Sequence, residues 1–543
     1  MTADTATRRR ERTFALGDGS WRWPTVAAAG VLAVVSVVLW AAPAPIMAPW
    51  DVIVLLDGGY RMAEGQIPST DFSNPVGPLV YGLVSLGMRL HGVSLAAVAW
   101  GNALMVITGS ALTWYATRDR MHVVWRALAT IYAALLLSAV RPLGYSPTIT
   151  TYAMLYNRYG WVLFTLVVVM VAVRPKRRVT DGLDHIVLGV MLGLLFYTKV
   201  TFTLAAGLVI LLGLIRSSDL SRVRRVLGVI AGFAIVVVVI TAIFRINPIA
   251  YIGDIGNSAL VQSKGRLGQI AWGIIWTSPI WLLTAVILAA LLISAKRRSQ
   301  SLVPVWTLFA LCAAIIGASI LLTAGNATER ADLVALAVLP LVITSSIAWQ
   351  RHGRSVPMAI AIALLLLGTV GLIATQDLAA LTKNVVMRGY VANPPANQRF
   401  DSANLRDFVI PDNSQWNTDY RTAHNVPSMV NDGIRMLRNH AQPTERIFSL
   451  AFGSPFNTAM DARPTEGGLL WYDLGFDMDR QHHPSAEEAM GTADWVIIPQ
   501  MLPDQGCCQE TVEAMGELYR PYLDAHFQQV DGSENWVLLK RVG

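Results

Sequence analysis

Charge and cysteine are both scarce in this sequence. Only 15% of the 543 residues are charged and 54% are hydrophobic, whereas a soluble domain carries roughly a quarter charged residues. This composition excludes a disordered chain, a coiled coil and an ordinary cytosolic enzyme. Three cysteines are too few for a disulfide framework. Cys507 and Cys508 are adjacent, and they are either two thiols or a strained vicinal disulfide.

Phosphate-cradling glycine loops and spaced metal ligands are also missing from the sequence. The missing loop argues against an enzyme driven directly by nucleotide on the cytoplasmic side. His482 and His483 closely follow Asp477 and Asp479, but the set has no fixed helical spacing and no Cys partner. It is therefore interpreted as a solvated loop, and no metal ligands are predicted. A divalent cation is compatible with the carboxylates described below, although their spacing does not require one.

Long apolar runs fill the first 375 residues, and each has the length that a helix needs to cross a bilayer. The first run is interpreted as a retained span, with a cleavable signal peptide as the alternative because small residues follow it at 41–44. The stretch 183–215 is interpreted as two short helices that meet near Lys199, since one helix of that length would overshoot the membrane. Eleven spans are predicted, near 25–42, 94–116, 123–140, 160–173, 183–198, 200–215, 226–244, 270–294, 304–323, 332–349 and 356–375.

Charge is distributed unevenly along the chain. Residues 1–375 hold 30 basic and 14 acidic residues, and residues 376–543 hold 13 and 22. With an inside N-terminus and eleven spans, all five basic clusters in short connections fall on the cytoplasmic side, as the positive-inside rule requires. The clusters are Arg118/Arg120, 174–178, 216–225, 296–298 and Arg351/Arg354. The pI near 9.4 therefore reflects the loops of a membrane protein and does not indicate nucleic-acid binding.

The predicted organisation has three parts in a multi-pass protein of the plasma (inner) membrane. Residues 1–24 form a basic cytoplasmic N-terminus, 25–375 an α-helical transmembrane domain, and 376–543 an acidic extracytoplasmic α/β domain. Short β-rich runs bounded by turn residues predict strands in this last domain, and amphipathic periodicity predicts helices. The predicted strands are Ile447–Phe452, Asp494–Pro499 and Asn535–Lys540, and the predicted helices are Val430–Asn439 and Glu510–Tyr519.

One external loop carries four of the 14 acidic residues that precede residue 376, namely Asp51, Asp57, Glu64 and Asp71. A short apolar helix, 79–90, follows and is expected to lie at the membrane interface because it is too brief to span. A carboxylate held there is suited to act as a general base on a substrate hydroxyl. The alternative is that a loop exposed to water is simply acidic.

The same loop carries a recognisable pattern. Asp51 follows the first span, and fourteen residues later the chain reads Gly65-Gln66-Ile67-Pro68-Ser69-Thr70-Asp71-Phe72 and then Pro75-Val76-Gly77-Pro78-Leu79. This segment resembles the first external loop of the GT-C superfamily of integral membrane glycosyltransferases. The bacterial group related to protein mannosyltransferases and lipid A aminoarabinose transferases is the most similar. The segment around Lys199 also resembles the lysine-containing break in that family's membrane domain.

The resemblance implies that Asp51 is the catalytic carboxylate. Val52 stands where many members have Glu, and Ser69 stands where Tyr is usual. Because that Glu is missing, Asp57 remains the alternative base, since Asp57-Gly58-Gly59-Tyr60 is similar to the same motif at a different distance.

The resemblance also implies an inverting enzyme of cell-envelope assembly. Such enzymes take a sugar from a polyprenyl-phosphate donor on the outer face and pass it to the hydroxyl of a glycan, lipid or protein. Lys199 and Arg330 are the preferred partners of the lipid phosphate. The alternatives are that Lys199 snorkels to the interface and that Arg330 pairs with its acidic neighbours. Other external cations are Arg61, Arg141, Arg158, Arg245, Lys264 and Arg266.

Sugar or acceptor contacts are assigned to Asp71 in the loop motif and to Tyr156 and Arg158, which lie in a cluster whose aromatic and amide groups suit sugar faces and hydroxyls. For the last two, a belt of interfacial Tyr and Arg is the alternative. A transporter or flippase of lipid-linked sugars is the competing hypothesis, and it predicts ionisable residues near the midplane of several spans. The middles of the predicted spans hold almost no Asp or Glu, so the enzyme is preferred. A third hypothesis is a scaffold whose tail binds cell-wall polymers.

Overall fold

The protein is described here from a computed structural model, which covers residues 45–121, 123–143, 145–173, 181–215, 219–262, 370–411, 426–500 and 509–542, with a few single residues besides. This part of the chain is mostly helical and ends in a small β-sheet. The predicted fold class is confirmed at that level. The spans predicted at 25–42 and between 270 and 369 lie wholly or largely outside the described residues, as does Arg330, so the number of eleven spans stays a prediction.

The helices that precede the undescribed stretch follow the apolar pattern of the sequence closely. Six of them, α3 to α8, coincide with predicted spans, although α5 and α8 begin five and seven residues earlier than predicted. The stretch 183–215 breaks at Lys199, as its length predicted. The helices are α1 (Trp50–Ala63), α2 (Leu79–His91), α3 (Ala96–Ala116), α4 (Val123–Ser138), α5 (Leu155–Ala172), α6 (Asp181–Thr198), α7 (Val200–Ile215), α8 (Asp219–Phe244) and α9 (Pro248–Val261).

Several of these helices have the properties of membrane spans. Ala96–Ala116 and Arg222–Phe244 are long and apolar enough to cross a bilayer, and four shorter helices are apolar as well. Leu204 on α7 is 69% exposed and Val238 on α8 is 66% exposed, within ridges of other exposed apolar side chains. Apolar ridges of this kind are unfavourable in water, whereas lipid chains solvate them. The surface therefore fits a membrane protein.

Helices α6 and α8 pack directly through glycine. A Cβ placed on Gly232 would lie 1.9 Å from the carbonyl oxygen of Ile186, and one placed on Gly189 would lie 2.0 Å from that of Val229. Both glycines belong to small-xxx-small sequences, 189–193 and 228–232, which let two helix backbones approach closely. Dispersion contacts between the backbones thus hold the pair together where no hydrophobic driving force from water acts.

The region expected to be a loop with an interfacial helix is folded differently. Residues Trp50–Ala63 form helix α1, and nearly all of its side chains are buried. Helix α2 is also buried over most of its length, with Gly87 and Gly101 at its close contact with α3. The expectation of a surface loop is therefore wrong for 50–63. Its apolar residues, Val52 to Leu56 among them, gain more by packing in the protein than by lying at an interface.

The C-terminal part is a five-stranded sheet with helices around it. The strands are β1 (Arg446–Ser449), β2 (Arg463–Pro464), β3 (Trp495–Pro499), β4 (Phe527–Gly532) and β5 (Trp536–Arg541) in the order β2-β1-β3-β5-β4. β1 is parallel to β2 and β3, whereas β5 is antiparallel to β3 and β4. The helices are α10 (Leu372–Val386), α11 (Arg388–Ala392), α12 (Val426–His440), α13 (Phe456–Met460), α14 (Ala486–Met490) and α15 (Gln509–His526).

Three predicted strands and two predicted helices of this part are confirmed, with shifted ends. β4 was not predicted because it is an edge strand with mostly exposed residues, so its sequence carries no alternation of apolar and polar side chains. β2 has only two residues and leaves no periodic signal. Both omitted strands lie at the edges of the sheet, where burial does not shape the sequence.

Buried polar contacts fasten the C-terminal part to the helices. The Asp57 carboxylate accepts hydrogen bonds from Arg61 Nε (2.9 Å) and from Asn457 Nδ2 (3.0 Å). Arg61 Nη1 donates in turn to the carbonyl of Thr465 (2.9 Å). A second fastening joins Arg141 Nε to Asp377 Oδ1 at 2.8 Å, with both side chains fully buried.

A third fastening caps a helix. The Asp407 carboxylate accepts from the backbone N–H groups of Leu95 (2.9 Å) and Ala96 (2.8 Å), which are free donors at the start of α3. Negative charge is stabilised there by the helix dipole and by the unpaired N–H groups. All three contacts involve residues far apart in the chain.

Replacing Arg61 by Met should destabilise the protein strongly, because it leaves the buried Asp57 carboxylate with Asn457 as its remaining side-chain donor in the described part of the chain. Removing one partner of a buried pair costs about 3–5 kcal/mol. Thermal unfolding in detergent measures the loss. Arg435→Met is the control, because Arg435 pairs with Asp432 but is 59% exposed, and such pairs contribute about 0–1 kcal/mol. Equal losses in both variants would contradict the fastening role of Arg61.

Candidate active site

A small cavity lies where α1, α2, the start of α5 and the C-terminal part meet. Its volume is about 30 Å³, which is space for one or two water molecules. The wall combines one carboxylate with four large aromatic rings and apolar side chains. The lining residues are Asp51, Val54, Leu55, Val76, Tyr81, Tyr152, Met154, Leu155, Tyr156 and Trp471.

Helix α1 presents Asp51 to this cavity. Asp51, Val54 and Leu55 all line it, as expected for residues at i, i+3 and i+4 on one helix face. Asp51 is in the first turn of α1, where a carboxylate interacts favourably with the helix dipole. Burial, and then the nearby charge of Asp473, raise the pKa of the Asp51 carboxyl to about 6. The group is therefore ionised at neutral pH but holds a proton far more readily than an exposed aspartate.

Asp57 is placed differently. It lies six residues beyond Asp51, so the helix turns its side chain to another face, and its accessibility is 0%. Its two oxygens accept from Arg61 and Asn457. A carboxylate with these hydrogen bonds has a structural role. Asp51, which lines the cavity, is therefore better placed than Asp57 to contact a substrate.

The second wall comes from the start of α5, and Lys199, at the break between α6 and α7, contacts this wall. Lys199 Nζ lies 5.3 Å from the centre of the Tyr156 ring and 3.3 Å from Asn157 Oδ1. A cation over an aromatic face at this distance is stabilised. Met154, just before α5, has a left-handed backbone with φ 55°, which costs a non-glycine residue roughly 1–2 kcal/mol. Local strain thus accompanies this wall.

Glycine 77 connects the Lys199 region to the loop of α1 and α2. Its N–H donates to the carbonyl of Thr198 at 3.1 Å. A Cβ on Gly77 would lie 2.1 Å from the carbonyl oxygen of Tyr197, so no larger residue fits there without movement. The motif Pro75–Leu79 therefore places the loop against the residue that precedes Lys199.

The third wall is Trp471, which comes from the C-terminal part of the chain. Trp471 Nε1 donates to Asn74 Oδ1 at 3.3 Å. Backbone bonds join the same segments, from Ser73 N–H to the carbonyl of Gly468 (2.8 Å) and from Leu470 N–H to that of Ser73 (2.9 Å). The segment around Trp471 is thus paired with the loop that follows α1.

Two further carboxylates lie close to this wall. Burial raises the pKa of Asp473 to about 6. Asp477 is buried, and burial raises its pKa well above the usual range although the N–H of Asp473 donates to it at 2.7 Å. Its second oxygen has no hydrogen-bond partner within the described ranges. The site therefore gathers carboxyls whose pKa values are raised by burial beside aromatic rings.

The remaining predicted site residues either do not line the cavity or lie outside the described residues. Asp71 does not line the cavity, since its Oδ2 accepts from the N–H of Ile67 (2.7 Å) and its carbonyl from Gly467 (2.5 Å). Arg158 is buried one turn into α5 and does not line the cavity either. Arg330 lies outside the described residues. His482 contacts Asp479 at 3.1 Å in an exposed loop, and no metal-binding group of three such residues occurs in the described part.

Sequence reasoning missed Tyr81, Tyr152, Trp471 and Asp473. Tyr81 follows Pro78 in a motif that was recognised, so its position was a usable signal. Trp471 and Asp473 lie about 420 residues after Asp51, and nothing local in their sequence indicates that they meet it. A pairing at that distance is determined by the tertiary fold.

Solved structures similar to this chain include ArnT from Cupriavidus metallidurans. The form bound to undecaprenyl phosphate is 13% identical, with a TM-score of 0.43 over 96% of this chain and 98% of that one. The apo form is 12% identical, with a TM-score of 0.44 over the same shares. An oligosaccharyltransferase from Archaeoglobus fulgidus, in complex with Zn and sulfate, is 11% identical, with a TM-score of 0.33 over 87% and 68%.

No family model and no curated protein sequence matches the chain. The activity, the substrate and the site residues are therefore argued from the chain itself.

Asp51→Asn should stabilise the protein at neutral pH and leave it unchanged in acid. The folded pKa of about 6 exceeds the usual 3.8, so the folded state binds the proton more tightly. Asp51 therefore costs stability as the pH rises through 6. The gain from Asn should be at most about 3 kcal/mol above pH 7 and vanish below about pH 4. Thermal unfolding from pH 4 to 8 measures it.

Asp479→Asn is the control with the opposite sign. Burial opposes it, but bonds from the N–H groups of Gln481 and His482 lower the pKa of Asp479 to about 2. Its removal should reduce stability at neutral pH. A gain for Asp51→Asn that does not depend on pH would rule out the desolvated carboxylate as its cause.

Proposed function

We propose that this protein is a membrane glycosyltransferase that moves a sugar from a polyprenyl-phosphate donor to an acceptor hydroxyl on the outer face of the membrane. The observation that carries the proposal is the cavity lined by the Asp51 carboxylate and the Tyr156 ring. The Lys199 ammonium group contacts this ring. A base and a cation beside aromatic rings form a suitable set for sugar transfer from a phosphate. The loop resemblance supports the same assignment.

The proposed step is a single displacement with inversion. The acceptor oxygen attacks the anomeric carbon, its proton passes to the Asp51 carboxylate, and the bond from that carbon to the phosphate oxygen breaks with its electron pair on the phosphate. A base whose pKa lies near 6 is ionised at neutral pH and still accepts a proton readily, which favours general base catalysis. No part of this step is assigned to a metal.

Lys199 is proposed to stabilise the departing phosphate, together with Arg330. The phosphate gains a second negative charge as the bond breaks, and a fixed cation in a site of low dielectric stabilises this more highly charged group more than it stabilises the singly charged donor. Lys199 is half-buried at the break between two apolar helices, where a lipid phosphate would arrive from the bilayer. Its contacts with Tyr156 and Asn157 position the ammonium group.

The proposal includes the orientation and the domains given above. Residues 1–24 are cytoplasmic, 25–375 form the membrane domain, and 376–543 lie outside. The outward position of the C-terminal part is supported by its acidic charge and by its contacts with α1. Asp71 and Arg158 are proposed to support the walls of the site instead of touching the sugar, because the Asp71 carboxylate accepts from the N–H of Ile67 and Arg158 is buried.

Asp51→Asn should lower sugar transfer at least about 100-fold, since loss of a general base costs roughly 10²- to 10⁴-fold. Transfer from radiolabelled polyprenyl-phosphate sugars in membranes measures it. Asp57→Asn is the matched control, and its transfer per folded molecule should stay near the wild-type rate. Loss confined to Asp57→Asn would move the base to that residue. No transfer by the wild type with a panel of donors would refute the proposed activity.

Lys199→Met should raise the KM for the donor about tenfold or more, because a charge-assisted hydrogen bond to the phosphate contributes roughly 1.5–3 kcal/mol. The acceptor KM should change little. Lys383→Met serves as control, since Lys383 donates to the Thr148 carbonyl away from the cavity. If the donor KM of Lys199→Met is unchanged, Lys199 has a structural role and does not bind the donor phosphate.

A further inference from the structure

We infer that the acceptor is a carbohydrate and that Trp471 provides the surface on which its sugar ring stacks. The inference rests on the proposed function and adds the class of the acceptor. Trp471 is half-buried, and its free surface lines the cavity that contains Asp51. Sugar rings have apolar C–H faces that stack on indole, while their hydroxyls take hydrogen bonds from polar neighbours.

A row of aromatic rings places Trp471 beside the proposed base. Trp50, the residue before Asp51, contacts Phe452 with ring centres 6.5 Å apart. Phe452 contacts Trp471 at 5.5 Å, and Trp471 contacts Phe476 at 5.2 Å. With its indole N–H donating to Asn74, Trp471 is fixed on several sides. It is therefore a preorganised surface and not a mobile side chain.

The donor and the acceptor are expected at different walls of the cavity, because these walls belong to different parts of the chain. Tyr156 belongs to the apolar helix α5, and Lys199, which contacts its ring, lies at the break between the apolar helices α6 and α7. This side of the cavity is therefore suited to a donor whose tail stays in the bilayer. Trp471 belongs to the C-terminal part, whose surface is polar and proposed to lie in water. The acceptor must bring its hydroxyl to Asp51 from the side that the donor leaves free, which is the side of Trp471.

The chemistry around Trp471 fits hydroxyl groups better than a lipid chain. Asp473 is two residues away and half-buried, and Asp477 Oδ2 is buried without a hydrogen-bond partner in the part of the chain that is described. Carboxyl oxygens beside an indole can accept from sugar hydroxyls. A bare acyl chain would leave these groups desolvated and unpaired, which is costly.

The test measures transfer by the full-length protein in membranes with one donor and three acceptors. The acceptors are a synthetic oligosaccharide, a Ser/Thr peptide and a glycerolipid without sugar. Wild type, Trp471→Ala and Trp471→Phe are compared, and Trp114→Ala is the control because Trp114 is also half-buried and packs on Arg126 at 3.5 Å. KM for donor and acceptor, kcat, and donor hydrolysis by water are recorded separately.

We expect transfer to the oligosaccharide alone. Trp471→Ala should raise the acceptor KM about tenfold, equal to about 1.4 kcal/mol, and should raise the donor KM much less. Trp471→Phe keeps a ring face and should stay within about threefold of wild type, which separates stacking from a folding defect. Trp114→Ala should leave the acceptor KM unchanged.

Two results overturn the inference while the proposed activity stands. One is transfer by the wild type to the peptide or the glycerolipid in place of the oligosaccharide. The other is an acceptor KM in Trp471→Ala equal to that of wild type. Absence of transfer to any acceptor, even by the wild type, refutes the glycosyltransferase proposal and this inference together.

Discussion

The buried Asp57–Arg61 pair is the interaction on which the arrangement of this protein depends. It lies on α1, and its hydrogen bonds continue to Asn457 and to the carbonyl of Thr465. A buried ion pair is stabilising only when its remaining donors and acceptors are satisfied, and here the C-terminal part satisfies them. The same contact brings the segment of Trp471 against the helix that carries Asp51. The two acidic residues of α1 thus differ in their surroundings: Asp57 joins α1 to the C-terminal part, and Asp51 faces the cavity.

The cavity holds a buried carboxylate that lowers the stability of the folded protein and is proposed to act as a base. Asp51 has no cation beside it in the described ranges, and its neighbours are rings, apolar side chains and the carboxyl of Asp473. Such surroundings disfavour its charged form, which weakens the fold at neutral pH but makes the carboxylate a better proton acceptor. The three fastenings at Asp57, Arg141 and Asp407 supply the rigidity that such a site needs.

Much of the helical architecture could be predicted because a membrane imposes it directly. Runs of apolar residues and the break at Lys199 predicted six helices, since the length of a span is set by the bilayer. The loop motif drew attention to Asp51. Prediction was wrong where packing inside the protein competed with the membrane surface, as for α1, and it was silent on edge strands such as β4, whose exposed residues have no burial pattern.

The sequence by itself determined the apolar helices and indicated Asp51 and Asp57 as candidate bases. Only the tertiary structure distinguished the surroundings of those two residues, because the helix turns them to different faces, and Asp57 alone accepts hydrogen bonds from Arg61 and Asn457. It also decided that Trp471 and Asp473 belong to the site. Residues more than 400 positions apart meet through packing and hydrogen bonds that no local pattern records, and that is the physical reason the site could not be read from the chain alone.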